Sequence, residues 1–414
     1  MKILNKRTIA IISTLDTKPE ETGYLREQLK KKGCDTVIID VGTRGSAVTS
    51  ADITREEVLT SAGVADPAKL DRPKLMKAMI AGAGRKANEL MHSGKMHGII
   101  GIGGATGTNM ATGIMKTLPF GVPKLMVSSV AAARGLTSRF FGTADIAIMH
   151  SVIDFTSLND LMRNVLDRAA GSIVGMVEAT GVVTFREKQP GKKHVAITML
   201  NMCEKCADYV RHNLEQEGYQ FVGFSATGVP DMAMEELIEK EGIFDAVIDL
   251  APGAVGEELL GGTRAGGPTR LEAAGKMGIP QLIAPCVVNL MTPPKTKYKP
   301  DYYQRKKYDL DALRTFLRVS PEELVIVAKA FIEKLNKAKG PVKFLIPLRG
   351  WSGIDTETSV LYEPETDRIF VEELKKGLRK DIEIREVDAN LEDPAFAIEV
   401  VKAFRELMDS KSYS

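Results

Sequence analysis

The stretch Gly98-Ile-Ile-Gly-Ile-Gly-Gly-Ala-Thr-Gly-Thr-Asn109 joins a short apolar run to a segment that can continue as a helix. A strand that ends in glycines where a helix begins forms an anion cradle. Glycine lets the backbone approach a phosphate closely, and the free N–H groups and the helix dipole favour negative charge. The stretch therefore predicts a strand-to-helix turn of an α/β fold that binds a phosphate-bearing ligand, which we interpret as a nucleotide.

The glycine spacing leaves an alternative open. Thr106 stands where the last glycine of G-x-G-x-x-G belongs, and no lysine follows Gly107 as a P-loop requires. The alternative is a tight, closely packed turn without a ligand. We favour the ligand because four glycines and two threonines fall within residues 101–108.

Composition narrows the class of protein. The 414 residues are 44% hydrophobic and 27% charged, which is typical of a soluble globular enzyme or binding protein of two domains. The net charge of +2 argues against a nucleic-acid partner, and no apolar run is long enough for a membrane span. The four scattered cysteines predict a reduced, cytoplasmic protein.

Strand-like and helix-like segments alternate along both halves of the chain. In the first half, apolar runs near residues 8–15, 36–41, 98–102, 124–129 and 146–149 are separated by helical patterns. The polar residues 185–193 contain Pro-Gly and predict a linker, and the alternation restarts at residue 194. The expected fold is α/β, with two Rossmann-like domains at 1–184 and 194–414. Each has a mostly parallel sheet flanked by helices, and a cleft lies between the domains.

Loops that follow the strands hold the candidate site residues, because ligands of such sheets lie beyond the carboxyl ends of strands. Hydroxyl, carboxylate, guanidinium and small side chains there suit the phosphates, the ribose and Mg²⁺ of a nucleotide. Helix capping and solvated turns are the alternative roles. The nucleotide-binding candidates are Thr14, Asp16, Thr17, Gly42, Arg44, Gly103, Gly104, Ala105, Thr106, Gly107, Thr108, Ser128, Ser129, Gly142 and Asp145.

The second half supplies candidates for a substrate side. Two arginines in a glycine-rich stretch suit a carboxylate or phosphate of a substrate, and a serine and an aspartate follow a strand near the only tryptophan. These candidates are Thr227, Gly228, Arg264, Arg270, Ser352 and Asp355. Cys203 and Cys206 span a strand end and a helix start, a position that lowers a thiol pKa, although two ordinary thiols are the alternative.

Several motifs together resemble a known family. They include Ile12-Ser-Thr-Leu-Asp-Thr-Lys-Pro-Glu20, Gly101-Ile-Gly-Gly-Ala-Thr-Gly-Thr108, Gly142-Thr-Ala-Asp145 and Ala226-Thr-Gly228. The chain resembles, over roughly residues 8–404, the ATP-binding domain family typified by the N-terminal part of the tomato mosaic virus resistance protein. The resemblance implies two Rossmann-like subdomains, ATP with Mg²⁺ at the N-terminal glycine loop, and a homodimer.

Departures from the family pattern fall in the second half. Ser225 stands where the family usually has histidine, and Lys307-Tyr-Asp-Leu-Asp311 replaces a His-Asn-Pro segment. Three functions remain open. The first is an ATP-binding enzyme that acts on a small acidic metabolite in the interdomain cleft. The second is a nucleotide-sensing module without turnover, and the third is an enzyme on a phosphorylated or carboxylated substrate without nucleotide.

Overall fold

The computed structural model describes residues 7–44, 49–133, 135–179, 192–311 and 314–410. The chain divides into two compact units, Met1–Thr184 and Phe185–Ser414, which we describe separately. Most of the predicted linker, up to residue 191, lies outside the described residues. Within those residues, no helix combines the length and the apolar character that a membrane crossing needs.

The first unit contains one five-stranded parallel sheet in the order β2-β1-β3-β4-β5. Near-continuous apolar runs form these strands, as expected where helices cover both faces of a parallel sheet. The strands are β1 (Thr8–Ser13), β2 (Asp35–Asp40), β3 (Gly98–Gly103), β4 (Lys124–Ser128) and β5 (Ala147–His150).

Helices cover both faces of this sheet. The helices are α1 (Pro19–Lys31), α2 (Arg55–Ser61), α3 (Arg72–His92), α4 (Ala105–Met115), α5 (Thr137–Phe141) and α6 (Asp160–Ala179). One core joins α1 and α6 to the sheet, and a second core joins α2, α3 and α4 to it. Helices α1 and α4, which follow β1 and β3, therefore lie on opposite faces.

The second unit is built on a six-stranded parallel sheet in the order β14-β13-β9-β8-β6-β7. Its strands are β6 (Lys193–Met199), β7 (Tyr219–Ser225), β8 (Ala246–Asp249), β9 (Gln281–Ile283), β13 (Val342–Pro347) and β14 (Glu383–Val387). A small antiparallel sheet, absent from the sequence-based expectation, contains β10 (Leu290–Met291), β11 (Lys307–Asp309) and β12 (Thr315–Arg318).

Seven helices flank the second sheet in the described residues. They are α7 (Glu204–Glu215), α8 (Val229–Glu236), α9 (Ala254–Leu260), α10 (Ala273–Met277), α11 (Pro321–Leu335), α12 (Pro364–Gly377) and α13 (Pro394–Ser410). Helices α7 and α13 share one core, whereas α11 and α12 belong to another. The expected α/β fold with parallel, helix-flanked sheets is confirmed in both units.

Candidate anion-binding site

A topological switch point lies between β1 and β3 of the first unit. The chain leaves β1 towards one face of the sheet and leaves β3 towards the other, because α1 and α4 pack on opposite faces. Loops that diverge in this way open a crevice at the carboxyl ends of the two strands, where ligands of doubly wound sheets bind. The glycine loop after β3 forms one side of this crevice.

The N-terminus of α4 has free backbone amides. The amides of Ala105, Thr106 and Gly107 precede the first intrahelical bond, in which the Thr108 amide donates to the Gly104 carbonyl at 2.8 Å. No side chain caps this helix, and its first turn contains no acidic residue. The free amides and the helix dipole therefore favour an anion at this end.

The glycines of this loop have different roles. A Cβ on Gly101 would lie 2.5 Å from the Ala111 Cβ, and one on Gly103 would lie 3.0 Å from the Gly107 Cα. These glycines let α4 pack tightly on β3, as the alternative without a ligand expected. Gly104 differs, because its φ is −80° and a Cβ there would meet nothing closer than 3.5 Å. Neither packing nor backbone strain requires glycine at position 104.

Two cationic side chains lie around the crevice. Arg72, at the start of α3, donates from Nη2 to the Thr106 hydroxyl at 3.4 Å. Lys18, in the loop after β1, lies with Nζ 3.5 Å from the Phe155 carbonyl and 5.5 Å from the centre of the Phe155 ring. Sequence reasoning missed Arg72, because 34 residues separate it from Thr106 and nothing in its own helix marks it.

The loop after β5 brings a carboxylate to the same place. The ideal Cβ position of Gly104 lies 3.5 Å from Asp154 Oδ1 and 3.6 Å from Ser129 Oγ. Ser129 donates to Asp154 Oδ1 at 2.9 Å, and the Phe155 amide donates to the same oxygen at 2.9 Å. Val152 in this loop adopts φ 67°, a strained conformation for a β-branched residue. The position of Asp154 shortly after a strand was the available sequence signal.

Two hydroxyl side chains that were predicted to bind the nucleotide are buried inside the first unit. Thr108 and Ser128 are fully buried, and their hydroxyl oxygens lie 2.7 Å apart. Thr108 also donates to the Gly103 carbonyl at 3.3 Å. Their bonds fix α4 to β4 and do not face the crevice, so we leave both out of the proposed site. Thr106, which is partly exposed, and Ser129 remain in it.

The loops after β1 and β2 contact each other. The Arg44 amide donates to Asp16 Oδ2 at 2.5 Å, and a Cβ on Gly42 would lie 2.9 Å from Asp16 Cγ. The Asp40 carboxylate accepts hydrogen bonds from the Leu15 and Gly42 amides, and burial raises its pKa. These contacts shape the β2 side of the crevice. The hydroxyls of Thr14 and Thr17 lie 2.7 Å apart on the loop after β1.

Gly142 and Asp145 lie at the other edge of the sheet. Asp145 Oδ1 pairs at 2.6 Å with Lys124, the buried first residue of β4, and Asp145 Oδ2 accepts from the Gly121 amide. A Cβ on Gly142 would lie 3.1 Å from Lys116 Cε, at the C-terminal end of α4. The structure does not bring either residue to the glycine loop, and both leave the proposed site.

In the second unit, the start of the helix that follows β6 is closed. The Glu392 carboxylate accepts hydrogen bonds from the Lys205 amide at 3.3 Å and from the Cys206 amide at 3.2 Å, at the N-terminus of α7. Burial raises the pKa of Glu392 despite these two donors. An internal carboxylate thus takes the place that an external anion would have at α7.

The two arginines expected to bind a substrate are paired internally. Arg270 is fully buried and contacts Asp231 at 3.0 Å, Glu235 at 3.1 Å and Asp249 at 2.7 Å. Burial opposes the charge of Arg270, but these carboxylates raise its pKa further. Arg264 pairs with Glu257 at 2.7 Å. Both guanidinium groups are therefore engaged by carboxylates, while Arg264 Nη1 and Arg270 Nη2 have no hydrogen-bond partner among the described residues.

Thr227 and Gly228 follow β7, whereas Ser352 and Asp355 follow β13. Three strands separate β7 from β13 in the sheet order, so the structure does not gather the substrate-side candidates into one site. The Gly228 amide donates to Asp231 at 2.7 Å, and Thr227 is exposed. Asn289 bridges the buried carboxylates of Asp355 and Asp367 at 2.8 and 3.0 Å.

Burial determines the chemistry of several groups in the second unit. It raises the pKa of Asp367 to about 7, although Arg318 lies 2.5 Å away and favours the charged form. It also raises the pKa of the Cys206 and Cys286 thiols well above the usual value. The expectation that the helix start lowers the pKa at Cys206 is wrong, because desolvation outweighs the helix terminus there.

The geometry defines a class of protein: two doubly wound, parallel α/β units, of which the first has an uncapped helix start at its topological switch point. The chain belongs to the Uncharacterised protein family (UPF0261). The model of its N-terminal domain matches residues 7–181, and the model of its C-terminal domain matches residues 192–408.

Relatives occur in bacteria and in tomato. A UPF0261 protein of Clostridium tetani is 34% identical over 98% of this chain and 100% of its own length. The ToMV resistance protein Tm-1(GCR237) of Solanum lycopersicum is 30% identical over 75% of this chain and 41% of its own length. The resemblance to the family of the tomato resistance protein is therefore confirmed as membership of UPF0261.

The solved structures that match this chain share little sequence with it. A putative UDP-N-acetylglucosamine 2-epimerase from Listeria monocytogenes matches with a TM-score of 0.24 and 12% identity, over 67% of this chain and 79% of that chain. Acinetobacter baumannii MurG matches with a TM-score of 0.23 and 11% identity, over 97% of this chain and 100% of that chain.

Proposed function

We propose that the N-terminal unit binds a phosphate-bearing nucleotide, ATP with Mg²⁺, at the start of α4. The observation that carries this proposal is the uncapped N-terminus of α4 behind Gly104, at the switch point between β1 and β3. The phosphates accept hydrogen bonds from the amides of residues 105–107, and Arg72 supplies positive charge beside them.

The identity of the ligand as a nucleotide comes from the resemblance, since free amides alone bind any phosphate. The space beyond Gly104 supports it, because the missing side chain leaves the amides accessible without any packing requirement. The proposed contacts are Gly104, Ala105, Thr106, Gly107 and Ser129, with the loops that contain Asp16 and Gly42 beside them. The homodimer and the cytoplasmic location stay predictions.

Two roles follow from a bound nucleotide: turnover with a small acidic metabolite, or nucleotide sensing without turnover. The internal pairing of Arg264 and Arg270 favours sensing, because these are the groups that were expected to hold the acid. Incubation of the protein with ATP, Mg²⁺ and a panel of carboxylic and phosphorylated metabolites separates the two roles. Substrate-dependent release of ADP or AMP supports turnover, and its absence beside clear ATP binding supports sensing.

The binding proposal is tested by thermal stabilisation with Mg²⁺ and ATP in wild type and in Gly104→Val. A ligand that binds only the folded state stabilises it by RT ln(1 + [L]/Kd), where [L] is the free ligand concentration, and so raises the melting temperature. We expect a rise in wild type and none in Gly104→Val, because the valine side chain occupies the place of the phosphate.

A matched control is Gly175→Val on the exposed side of α6, where a Cβ would meet nothing within 4 Å. This variant keeps the ATP-dependent rise. Gly104→Ala, whose Cβ makes only ordinary contacts, shows whether the fold tolerates a side chain at this position. A full ATP response in a folded Gly104→Val protein would contradict the proposal. Stabilisation by sugar phosphates but not by ATP would instead indicate an enzyme without nucleotide.

A further inference from the structure

The second unit contains a cavity of about 350 Å³ between α12 and the carboxyl ends of β13 and β14. This volume lies within the range of small-molecule sites. Leu348, Trp351 and Val371 supply apolar surface, and Asp367 supplies a buried carboxyl group. All the residues that line the cavity belong to the second unit, so it is separate from the glycine loop of the first.

Trp351 gives the cavity a fixed aromatic wall. Its ring packs edge-on against Phe370 at 5.5 Å between ring centres, and its backbone amide donates to Asp355 Oδ2 at 3.0 Å. The face of a tryptophan ring attracts a cation more strongly than the face of a tyrosine or phenylalanine ring. An aromatic wall and a carboxyl group in one cavity therefore favour a positively charged ligand.

The polar network behind the cavity has acceptor oxygens to spare. Asn289 donates through Nδ2 to Asp355 Oδ2 at 2.8 Å and to Asp367 Oδ2 at 3.0 Å. Three buried oxygens find no partner in the part of the chain that the structure describes: Asp355 Oδ1, Asn289 Oδ1 and Ser352 Oγ. Buried polar atoms normally have partners. A network that is short of donors favours a ligand that brings N–H groups.

The charges that line the cavity also favour a cation. They are the carboxylates of Asp367, Glu372 and Glu386 and the cations of Arg368 and Lys375. Lys375 lies 3.2 Å from Glu372 and 3.0 Å from Glu386, so two carboxylates surround one ammonium group. The Arg368 side chain is 66% exposed, and water and salt screen its charge. The lining therefore has a surplus of negative charge.

We infer that this cavity binds a small organic ammonium ion, with its charged group against the Asp367 carboxylate and its apolar part against Trp351. The inference goes beyond the proposed function and does not depend on it, because no residue of the first unit contributes to the cavity. It gives the second unit a ligand of its own, whose charge is opposite to that of the expected acidic metabolite.

Asp367 must be ionised to attract the cation. Burial raises its pKa to about 7, Arg318 opposes this shift, and Asp355 adds to it. Glu363 lies 3.4 Å from Arg318 and takes up part of that positive charge. Below pH 7 the bound cation therefore displaces a proton from Asp367. Affinity rises about tenfold from pH 6 to pH 8, because the ionised fraction of such a group rises from about one tenth to about nine tenths.

The test follows the fluorescence of Trp351, the only tryptophan, while the full chain is titrated with butylammonium chloride. Butanol and sodium butyrate are the matched probes, because they keep the apolar chain and replace the charge. We expect a saturable change with butylammonium, with a Kd at least about tenfold lower than with either other probe at pH 8. At pH 6 the Kd for butylammonium is about tenfold higher than at pH 8.

Variants at the rim change the charge without altering the buried network. Leu348 lines the cavity and is 44% exposed, so Leu348→Arg adds a cation there and weakens butylammonium binding about tenfold. Leu348→Gln, its uncharged control, keeps the wild-type Kd within about twofold. Arg368→Gln removes a cation and tightens binding. Asp367→Asn, checked for folding by circular dichroism, abolishes both the binding and its pH dependence.

Three results would overturn the inference. They are butyrate binding as tight as butylammonium binding, equal butylammonium affinity in Leu348→Arg and Leu348→Gln, and no fluorescence change in wild type with any probe. The ATP response of the first unit is measured separately by thermal stabilisation. A protein that binds butylammonium without ATP would contradict only the proposed function, and one that binds ATP without butylammonium would contradict only this inference.

Discussion

The start of α4 in the first unit and the start of α7 in the second unit differ in what completes them. Both helices follow a parallel strand and begin at the carboxyl edge of its sheet. At α7 the chain supplies its own anion, Glu392. At α4 no side chain caps the amides, and Gly104 adds no side chain in front of them. A helix start at the carboxyl edge of a parallel sheet is therefore closed at α7 and open at α4.

The comparison teaches that a strand-to-helix turn does not define a binding site by itself. The second unit satisfies some of its polar groups internally: Glu235 accepts from the amides at the start of α10, and Asp231 accepts from the Gly228 amide. Such groups stabilise a fold because buried polar atoms need partners. In the first unit, the amides of α4 still lack a partner from a side chain, which is the property that a ligand site requires.

The largest effect is expected at Arg270, which tests whether the charges of the second unit are structural. Arg270→Ala leaves three buried carboxylates without their cation and costs about 3–5 kcal/mol in the free energy of unfolding. Urea unfolding followed by fluorescence of Trp351, the only tryptophan, reports the second unit. The exposed Arg349→Ala control loses less than about 1 kcal/mol. A stable Arg270→Ala protein would argue that Arg270 is reserved for a ligand.

Asp367 gives the stability of the second unit a pH dependence. Burial raises its folded pKa to about 7 from 3.8, so the folded state keeps a proton that the unfolded chain releases. The contribution of Asp367 to the free energy of unfolding therefore falls as pH rises from about 4 to about 7. We expect Asp367→Asn to remove that part of the pH slope in unfolding curves. An identical slope in wild type and variant would show that Arg318 keeps Asp367 ionised throughout.

A smaller effect is expected where the sealed helix is opened. Glu392→Ala leaves the Lys205 and Cys206 amides without their acceptor. It lowers the free energy of unfolding by about 1–2 kcal/mol, as is usual when an N-terminal cap is lost. Inorganic phosphate then raises the unfolding midpoint of the variant, measured at Trp351, more than that of wild type. The exposed Glu333→Ala on α11 is the control. If phosphate stabilises both proteins equally, Glu392 does not act as an internal anion.

Local patterns predicted the fold of both units well. Apolar runs located β1 to β5, and Pro19 and Gly33 bounded α1 closely, since proline starts helices and glycine ends them. The short helices α2 and α9 and the antiparallel sheet of β10, β11 and β12 escaped prediction. Two- to four-residue strands leave too few residues for a period to show.

The candidate site was only partly predictable. The glycine loop follows from sequence, because a run of glycines before a helix has a direct physical meaning. Arg72 and Asp154 come to the loop through tertiary packing, which no spacing reveals. Sequence also could not show that Thr108 and Ser128 bond to each other, or that Arg270 is paired with buried carboxylates. Residue type indicates what a side chain can bind, whereas the fold determines which side chains remain available to a ligand.

The most direct measurement compares the two helix starts in one experiment. Backbone amide resonances of Ala105, Thr106 and Gly107, and of Lys205 and Cys206, are followed by NMR while ATP and Mg²⁺ are added to the full chain. We predict saturable shifts at residues 105–107 and none at residues 205 and 206, because Glu392 already holds the latter. Unmoved amides at 105–107 with saturating ATP, or shifts confined to 205 and 206, would contradict the account.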